Sequence, residues 1–206
     1  MTTLLKIQTS LSGSTGQSSQ LADRFAQQWL ASNPGGRIVT RDLTADAVPH
    51  LTAERFQSFL AKPEARTPQQ QEIADYSDAL IAELKAADVI VFAVPMYNFS
   101  VPSTLRAYFD HIARIGVTFQ YTAEGPRGLV QGKKVYVFIT RGGVYPEAAD
   151  TQTPYLRQFL GFIGMTDVQF IHAEGLSTGD EPREKSLAAA RHTIAKLQPA
   201  PAALAA

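Results

Sequence analysis

Val89-Ile90-Val91-Phe92-Ala93-Val94 is apolar at every position and gives way at Pro95 to the aromatic loop Met96-Tyr97-Asn98-Phe99. A strand with one wet face alternates apolar and polar residues. An unbroken apolar run of strand length instead marks a strand covered on both faces, as in a parallel sheet between helical layers. Val135 to Thr140 reads the same way. Leu4 to Thr9 and Val168 to His172 are further strand candidates, and Arg37 to Arg41 alternates more, as an edge strand does.

Helical patterns separate these runs. Leu21, Phe25 and Trp29 repeat every four residues, and Ile73, Leu80, Ile81 and Leu84 form a second apolar stripe. The second helix opens at Thr67-Pro68-Gln69-Gln70, where threonine caps, proline fits the first helical position and Gln70 closes a capping box. Thr153-Pro154 is expected to repeat that device before a helix at Tyr155 to Ile163, and Asp180-Glu181-Pro182 opens a last helix. Alternating strands and helices imply right-handed crossovers. The expected fold is α/β, a three-layer sandwich around a five-stranded parallel sheet of order 2-1-3-4-5, with its ligand site beyond the carboxyl ends of the strands. Residues 116 to 133 break the rhythm as a hairpin-like excursion before the fourth long strand. Residues 44 to 66 read as a short helix and a cover. One domain spanning 1–198 is expected, with a frayed tail at 199–206.

Composition narrows the function. Lysine plus arginine equals aspartate plus glutamate at 19 each, so no broad field recruits nucleic acid or an anionic membrane. With no cysteine, neither disulfides nor thiolate metal sites are available, and redox chemistry would need a cofactor. The four histidines lack metal-ligand spacing, so no metal is expected. No apolar run is long enough to cross a bilayer, and the N-terminal residues lack a signal-peptide pattern, which makes the cytoplasm the expected location.

Three loops follow strands that point toward one crevice. Ser10-Leu-Ser-Gly-Ser-Thr-Gly-Gln-Ser-Ser19 gathers hydroxyls and backbone amides at a helix start, an outline for binding an anion. It lacks the lysine of G-x-x-x-x-G-K-[ST], and Gly13 and Gly16 do not make G-x-G-x-x-G, so a dianionic monophosphate suits it better than a nucleoside triphosphate. Taken alone, it is equally an ordinary flexible turn. Met96 to Phe99 sets aromatics where polar turn chemistry is normal, which suits either a flat ring ligand or a plug beneath a loop. Thr140-Arg141-Gly142-Gly143 allows close backbone approach, though paired glycines also serve simple tight turns. The joint placement of the three loops is stronger than any one of them.

Several segments resemble the FMN-dependent NADH:quinone oxidoreductase and azoreductase family, of flavodoxin-like fold. They are Pro95 to Phe99, Gly116-Val-Thr-Phe-Gln-Tyr-Thr122, Gly128-Leu-Val, Arg141-Gly-Gly143, Thr153-Pro-Tyr-Leu156, Phe159-Leu-Gly-Phe-Ile-Gly164 and Ala173-Glu-Gly175. The likeness covers nearly the whole chain. It implies tightly bound FMN, its phosphate on Ser10, Gly16, Gln17 and Ser18 and its ring on Met96, Tyr97, Asn98, Phe99, Thr140, Arg141, Gly142 and Gly143. Gly16 and Thr140 stand where the family commonly has serine. The resemblance also implies a homodimer with the cleft at its interface, walled by Phe99, Phe119, Tyr121 and Phe162.

The implied activity is hydride transfer from NADH or NADPH to quinones and reductive cleavage of azo compounds, in two steps at one flavin site, with no catalytic side chain. The alternative is an electron-carrier flavodoxin without its own small-molecule substrate. The balanced charge argues against it, because such carriers resemble strongly acidic surfaces. Arg106, Arg114 and Arg127 read as solvated surface. A signalling receiver domain of the same strand order needs acidic residues at strand ends, where this chain has Thr9-Ser10 and Val94-Pro95.

Overall fold

A computed structural model describes residues 2–197; the tail expected to fray at 199–206 lies outside the described residues. In chain order the elements are β1 (Thr3–Gln8), α1 (Gln17–Ser32), β2 (Arg37–Asp42), α2 (Ala53–Leu60), α3 (Pro68–Ala86), β3 (Val89–Pro95), α4 (Ser103–Ile112), β4 (Phe119–Thr122), β5 (Gly125–Gly128), β6 (Lys134–Thr140), α5 (Gln152–Ile163), β7 (Asp167–Ala173) and α6 (Asp180–Lys196). The main sheet runs β2-β1-β3-β6-β7, all pairs parallel, and β4-β5 is a separate antiparallel hairpin. Counting the five parallel strands alone, this is the expected order 2-1-3-4-5.

The apolar run of β3 divides by parity, as a pleated strand requires. Val89, Val91 and Ala93 join a core with Phe25 and Trp29 of α1 and Leu187 and Ile194 of α6. Ile90, Phe92 and Val94 face the opposite core, with Leu80 and Leu84 of α3, Leu105 and Phe109 of α4, and Leu156 and Leu160 of α5. Both faces are therefore covered. Phe25 and Trp29 are wholly buried, and the burial of each ring contributes on the order of 2–3 kcal/mol. The edge strand β2 is nowhere fully buried, which matches its alternating sequence.

Local signals explain most boundaries. Thr67 and Gln70 form the reciprocal capping box at the head of α3. Residues 44 to 66 contain α2, capped by the Thr52 side chain, which accepts from Arg55 N. The device expected at Thr153-Pro154 is absent. Helix α5 begins at Gln152, and Asp150 Oδ1 accepts from the amides of both Gln152 and Thr153 at 3.0 Å. With Asp150 taking the first amides, the helix starts ahead of Thr153, whose hydroxyl is left for other partners.

The hairpin excursion is pinned to the sheet by a close approach of backbones. A Cβ on Gly128 would lie 2.1 Å from Gly164 N, and Val130 N donates to Ile163 O at 2.8 Å. Because the obstruction is backbone, it cannot rotate away. Gly128→Ala should destabilise the protein by about 2–3 kcal/mol in urea unfolding. Gly161→Ala, in α5 with nothing within 4 Å of its Cβ, should be neutral or stabilising. Equal midpoints for Gly128→Ala and the parent protein would contradict this packing.

Candidate functional site

Strands β1, β3 and β6 end side by side, and their following loops meet there. After β1 the chain makes a short 3-10 turn at Gly13–Thr15 and enters α1 through Gly16, which supplies no side-chain cap. The first amides of α1 have no intrahelical acceptor. Beside them, the hydroxyls of Ser18 and Ser19 are buried and have no hydrogen-bond partner. Such a group costs about 1–3 kcal/mol when left unmet. Two of them at the positive end of a helix dipole are donors that an anion could meet. Ser10 is also buried, and its Oγ accepts from Ser12 N at 3.3 Å. A Cβ on Gly16 would meet Ser10 Oγ at 2.1 Å, so in this conformation the missing side chain makes room for Ser10.

The loop after β3 is a tight turn. Tyr97 and Ser100 exchange backbone hydrogen bonds at 3.1 and 3.0 Å, and the two residues between them, Asn98 and Phe99, have φ of +49° and +63°. Asparagine tolerates that region, whereas phenylalanine rarely adopts it and does so at a cost of order 1–3 kcal/mol. The strain holds the Phe99 ring outward, 66% exposed, with its edge toward Tyr145. The Tyr97 hydroxyl accepts from Leu11 N at 3.1 Å and joins this turn to the serine-rich loop. Leu11, Met96, Tyr97, Asn98 and Thr104 help line a cleft of about 630 Å³.

Thr140 closes β6, and its carbonyl accepts from Met96 N at 2.8 Å. Beyond it, the carbonyls of Arg141, Gly142 and Gly143 accept from Leu176, Ser177 and Gly175, while the Gly142 and Gly143 amides donate to no acceptor among the described residues. Those two amides remain available to a ligand. The Arg141 side chain is not available: it is buried, with Asp150 at 2.6 Å, Glu174 at 2.9 Å and Thr153 Oγ1 at 3.0 Å. Burial pushes the Asp150 carboxyl upward, but contacts with Thr153, the Arg141 guanidinium and the Gln152 amide outweigh it and hold the group well below the usual carboxylate range.

Of the expected cleft walls, Phe99 stands on the turn after β3, and the other three lie elsewhere within the chain. Phe119 packs on Tyr121 and on Phe162 with ring centroids 5.7 and 4.4 Å apart. Phe119 and Tyr121 line an apolar groove of about 380 Å³ with Leu51, Phe56 and Leu60, separate from the cleft beside Met96. Arg114 is not solvated surface. It is buried, pairs with Asp78 at 3.2 Å and Ser77 Oγ at 2.7 Å, and lies over the Phe59 ring. Residues that motif reading passes over include Ser19, Tyr145 and Gln152. Only the serine had a local signal, its place in the serine-rich run.

Known proteins share this architecture. A family model described as flavodoxin-like fold matches residues 2–197. An FMN-dependent NADH:quinone oxidoreductase of Cellvibrio japonicus is 51% identical, over 94% of this chain and 97% of that one. FMN-dependent NADH:quinone oxidoreductase 6 of Burkholderia lata is 53% identical, over 95% of this chain and 99% of that one. The crystal structure of an azoreductase from Bacillus anthracis superposes with a TM-score of 0.87 at 27% identity, covering 95% of this chain and 98% of that one.

Asp150 gives the site a pH dependence whose sign follows from its lowered value. The folded state holds this carboxyl ionised more strongly than the unfolded chain does. The stabilisation is therefore fully present above the ordinary aspartate value of about 3.9 and is lost as pH falls below it. Asp150→Ala removes a helix cap and one partner of a buried guanidinium, and should cost about 2 kcal/mol or more at pH 7. That cost should shrink progressively below about pH 4 in denaturation curves. A cost that stays constant down to about pH 2 would refute the assignment.

Proposed function

Because this chain belongs to the flavodoxin-like family of FMN-dependent NADH:quinone oxidoreductases, we propose that it is an FMN-dependent oxidoreductase that takes reducing equivalents from NADH and delivers them to quinones and azo compounds. The observation that carries the reading is the pair of buried, unpartnered serine hydroxyls at the uncapped head of α1, beside two turns with unused amides. These residues fit FMN. A phosphate monoester would be held by Ser10, Ser18 and the Gln17 amide, with Ser19 as a further donor; the Gly16 amide, which donates to Gly13 O at 3.3 Å, would have to exchange that bond for the phosphate. The planar ring suits the space between the turn at Met96, Tyr97, Asn98 and Phe99 and the turn at Thr140, Arg141, Gly142 and Gly143. Arg141 serves this second turn through its backbone, since its guanidinium is engaged below.

When bound, FMN supplies the chemistry by accepting hydride from the nicotinamide and passing it to the acceptor. The chain's own residues bind and orient. The amides of Gly142 and Gly143 are fixed donors that favour negative charge at the ring edge they face. The Phe99 ring, held outward by its backbone, offers a flat apolar surface on which nicotinamide and then a quinone or azo compound stack. Stacking selects flat apolar molecules without directional contacts, so acceptance is broad. No side chain is assigned as general acid or base.

The exposed Tyr121 and the half-buried Phe119 and Phe162 support a homodimer in which these residues wall the cleft from across an interface, since within one chain Phe119 and Tyr121 line a different groove and Phe162 packs on Phe119. Among the described residues no helix is long and apolar enough to cross a membrane. We place the protein in the cytoplasm, as one domain spanning 1–198. The electron-carrier alternative is not favoured, because the relatives are named for NADH and quinone.

Heat-released cofactor should have the mass of FMN, and the purified protein should oxidise NADH with benzoquinone and no protein partner. Gly142→Val drives a branched side chain toward Ser177 Oγ, which would lie only 3.0 Å from a Cβ at this position, and should weaken FMN roughly 100-fold. Phe99→Gly relieves the left-handed strain, raising stability by about 1 kcal/mol while slowing acceptor turnover. Flavin content and kinetics unchanged in both variants would overturn the placement of these turns.

A further inference from the structure

The two turns that would flank the ring are joined by a third segment, outside the motifs that point to the site. Asp150, Thr151 and Gln152 lead into α5. Gln152 is wholly buried; its Oε1 accepts from Arg141 Nε at 3.2 Å and its Nε2 donates to the Pro95 carbonyl at 3.1 Å. The adjacent Thr151 hydroxyl donates to the Phe99 carbonyl, on the strained residue itself. Asp150 binds the Arg141 guanidinium and caps the same helix. One short stretch thus holds the turn after β3 and the turn after β6.

The sheet does not provide this link. Pairing between β3 and β6 ends at Pro95 and Thr140, and Met96 N to Thr140 O is the last backbone bond between them. Gln152 ties the last paired residue of β3, Pro95, to the side chain of Arg141, the first residue past the pairing on β6. A primary amide suits this position because it accepts and donates at once, from two ends of one rigid plane. A carboxylate could keep the Arg141 bond but would have no proton for Pro95, and a thioether would keep neither bond.

We infer that Gln152 is a positioning residue that sets the separation of the two ring-binding turns and thereby FMN affinity, a role that rests on the FMN reading above. It touches neither cofactor nor substrate and acts through Arg141 and Pro95. A merely structural Gln152 would matter only as a partner for the buried Arg141. The two roles differ in what glutamate does at this position.

The test compares the full chain with Gln152→Glu and Gln152→Met at about pH 8, where the introduced carboxylate is ionised beside Arg141. Three quantities are read: FMN dissociation by fluorescence titration, amide hydrogen exchange at Met96 to Phe99, and the urea midpoint. Both variants should bind FMN roughly tenfold more weakly, as expected for loss of a buried hydrogen bond that shapes the site. Both should exchange faster at Met96 to Phe99. Gln152→Met should lose more stability than Gln152→Glu, since Gln152→Glu retains the bond from Arg141. If Gln152→Glu binds FMN as the parent does, with unchanged exchange, the positioning role is wrong while the function stands. A parent protein that binds no FMN overturns the function and this inference with it.

Discussion

A parallel sheet covered on both faces leaves its backbone only one place to meet a polar ligand, the ends of the strands. In this chain β3 and β6 surrender nearly every side chain to two apolar cores, so no functional group can stand along their length. The unmet polar groups gather beyond the carboxyl ends, where α1 begins and where the turns after β3 and β6 begin. Right-handed crossovers deliver those loops to the same edge. The site is a consequence of the layering.

The layering brings the loops together without fixing their shape, and buried polar contacts do that. Arg141 is buried with two carboxylates, an arrangement whose desolvation cost is offset only because its nitrogens find Asp150, Glu174, Gln152 and Thr153. Asp150 serves both as counter-ion and as helix cap, so the ion pair and the start of α5 depend on each other. Strain at Asn98 and Phe99 persists for a related reason. The turn is closed by two backbone bonds and its carbonyl is held by Thr151, so relaxing φ would break several contacts at once.

The head of α1 has the opposite character. There two serine hydroxyls are buried without partners, and the helix start is uncapped. Among the described residues the other buried side-chain polar atoms without a partner are on Trp29 of α1 and on Thr104, Tyr108 and His111 of α4, away from the head of α1. An unmet group is costly in a free protein and useful in one that binds an anion, because the ligand then replaces a deficit instead of competing with existing bonds. Rigid, over-determined turns and an unsatisfied helix start are complementary ways of preparing a pocket.

Short-range patterns in the sequence determined the strands and the helix starts, because apolar period and cap chemistry are properties of neighbouring residues, and the right-handed crossover rule added the strand order. The unbroken runs at Val89 and Val135, the capping box at Thr67 and the excursion around Phe119 were legible for that reason. The tertiary structure alone decided matters that depend on residues distant in the chain. It engaged the Arg141 side chain as a buried anchor, gave the cap of α5 to Asp150 rather than Thr153, buried Arg114 against Asp78, and set Phe119, Tyr121 and Phe162 apart from the turn at Met96. Each outcome turns on which groups lose water together, and that is known only once the chain has folded.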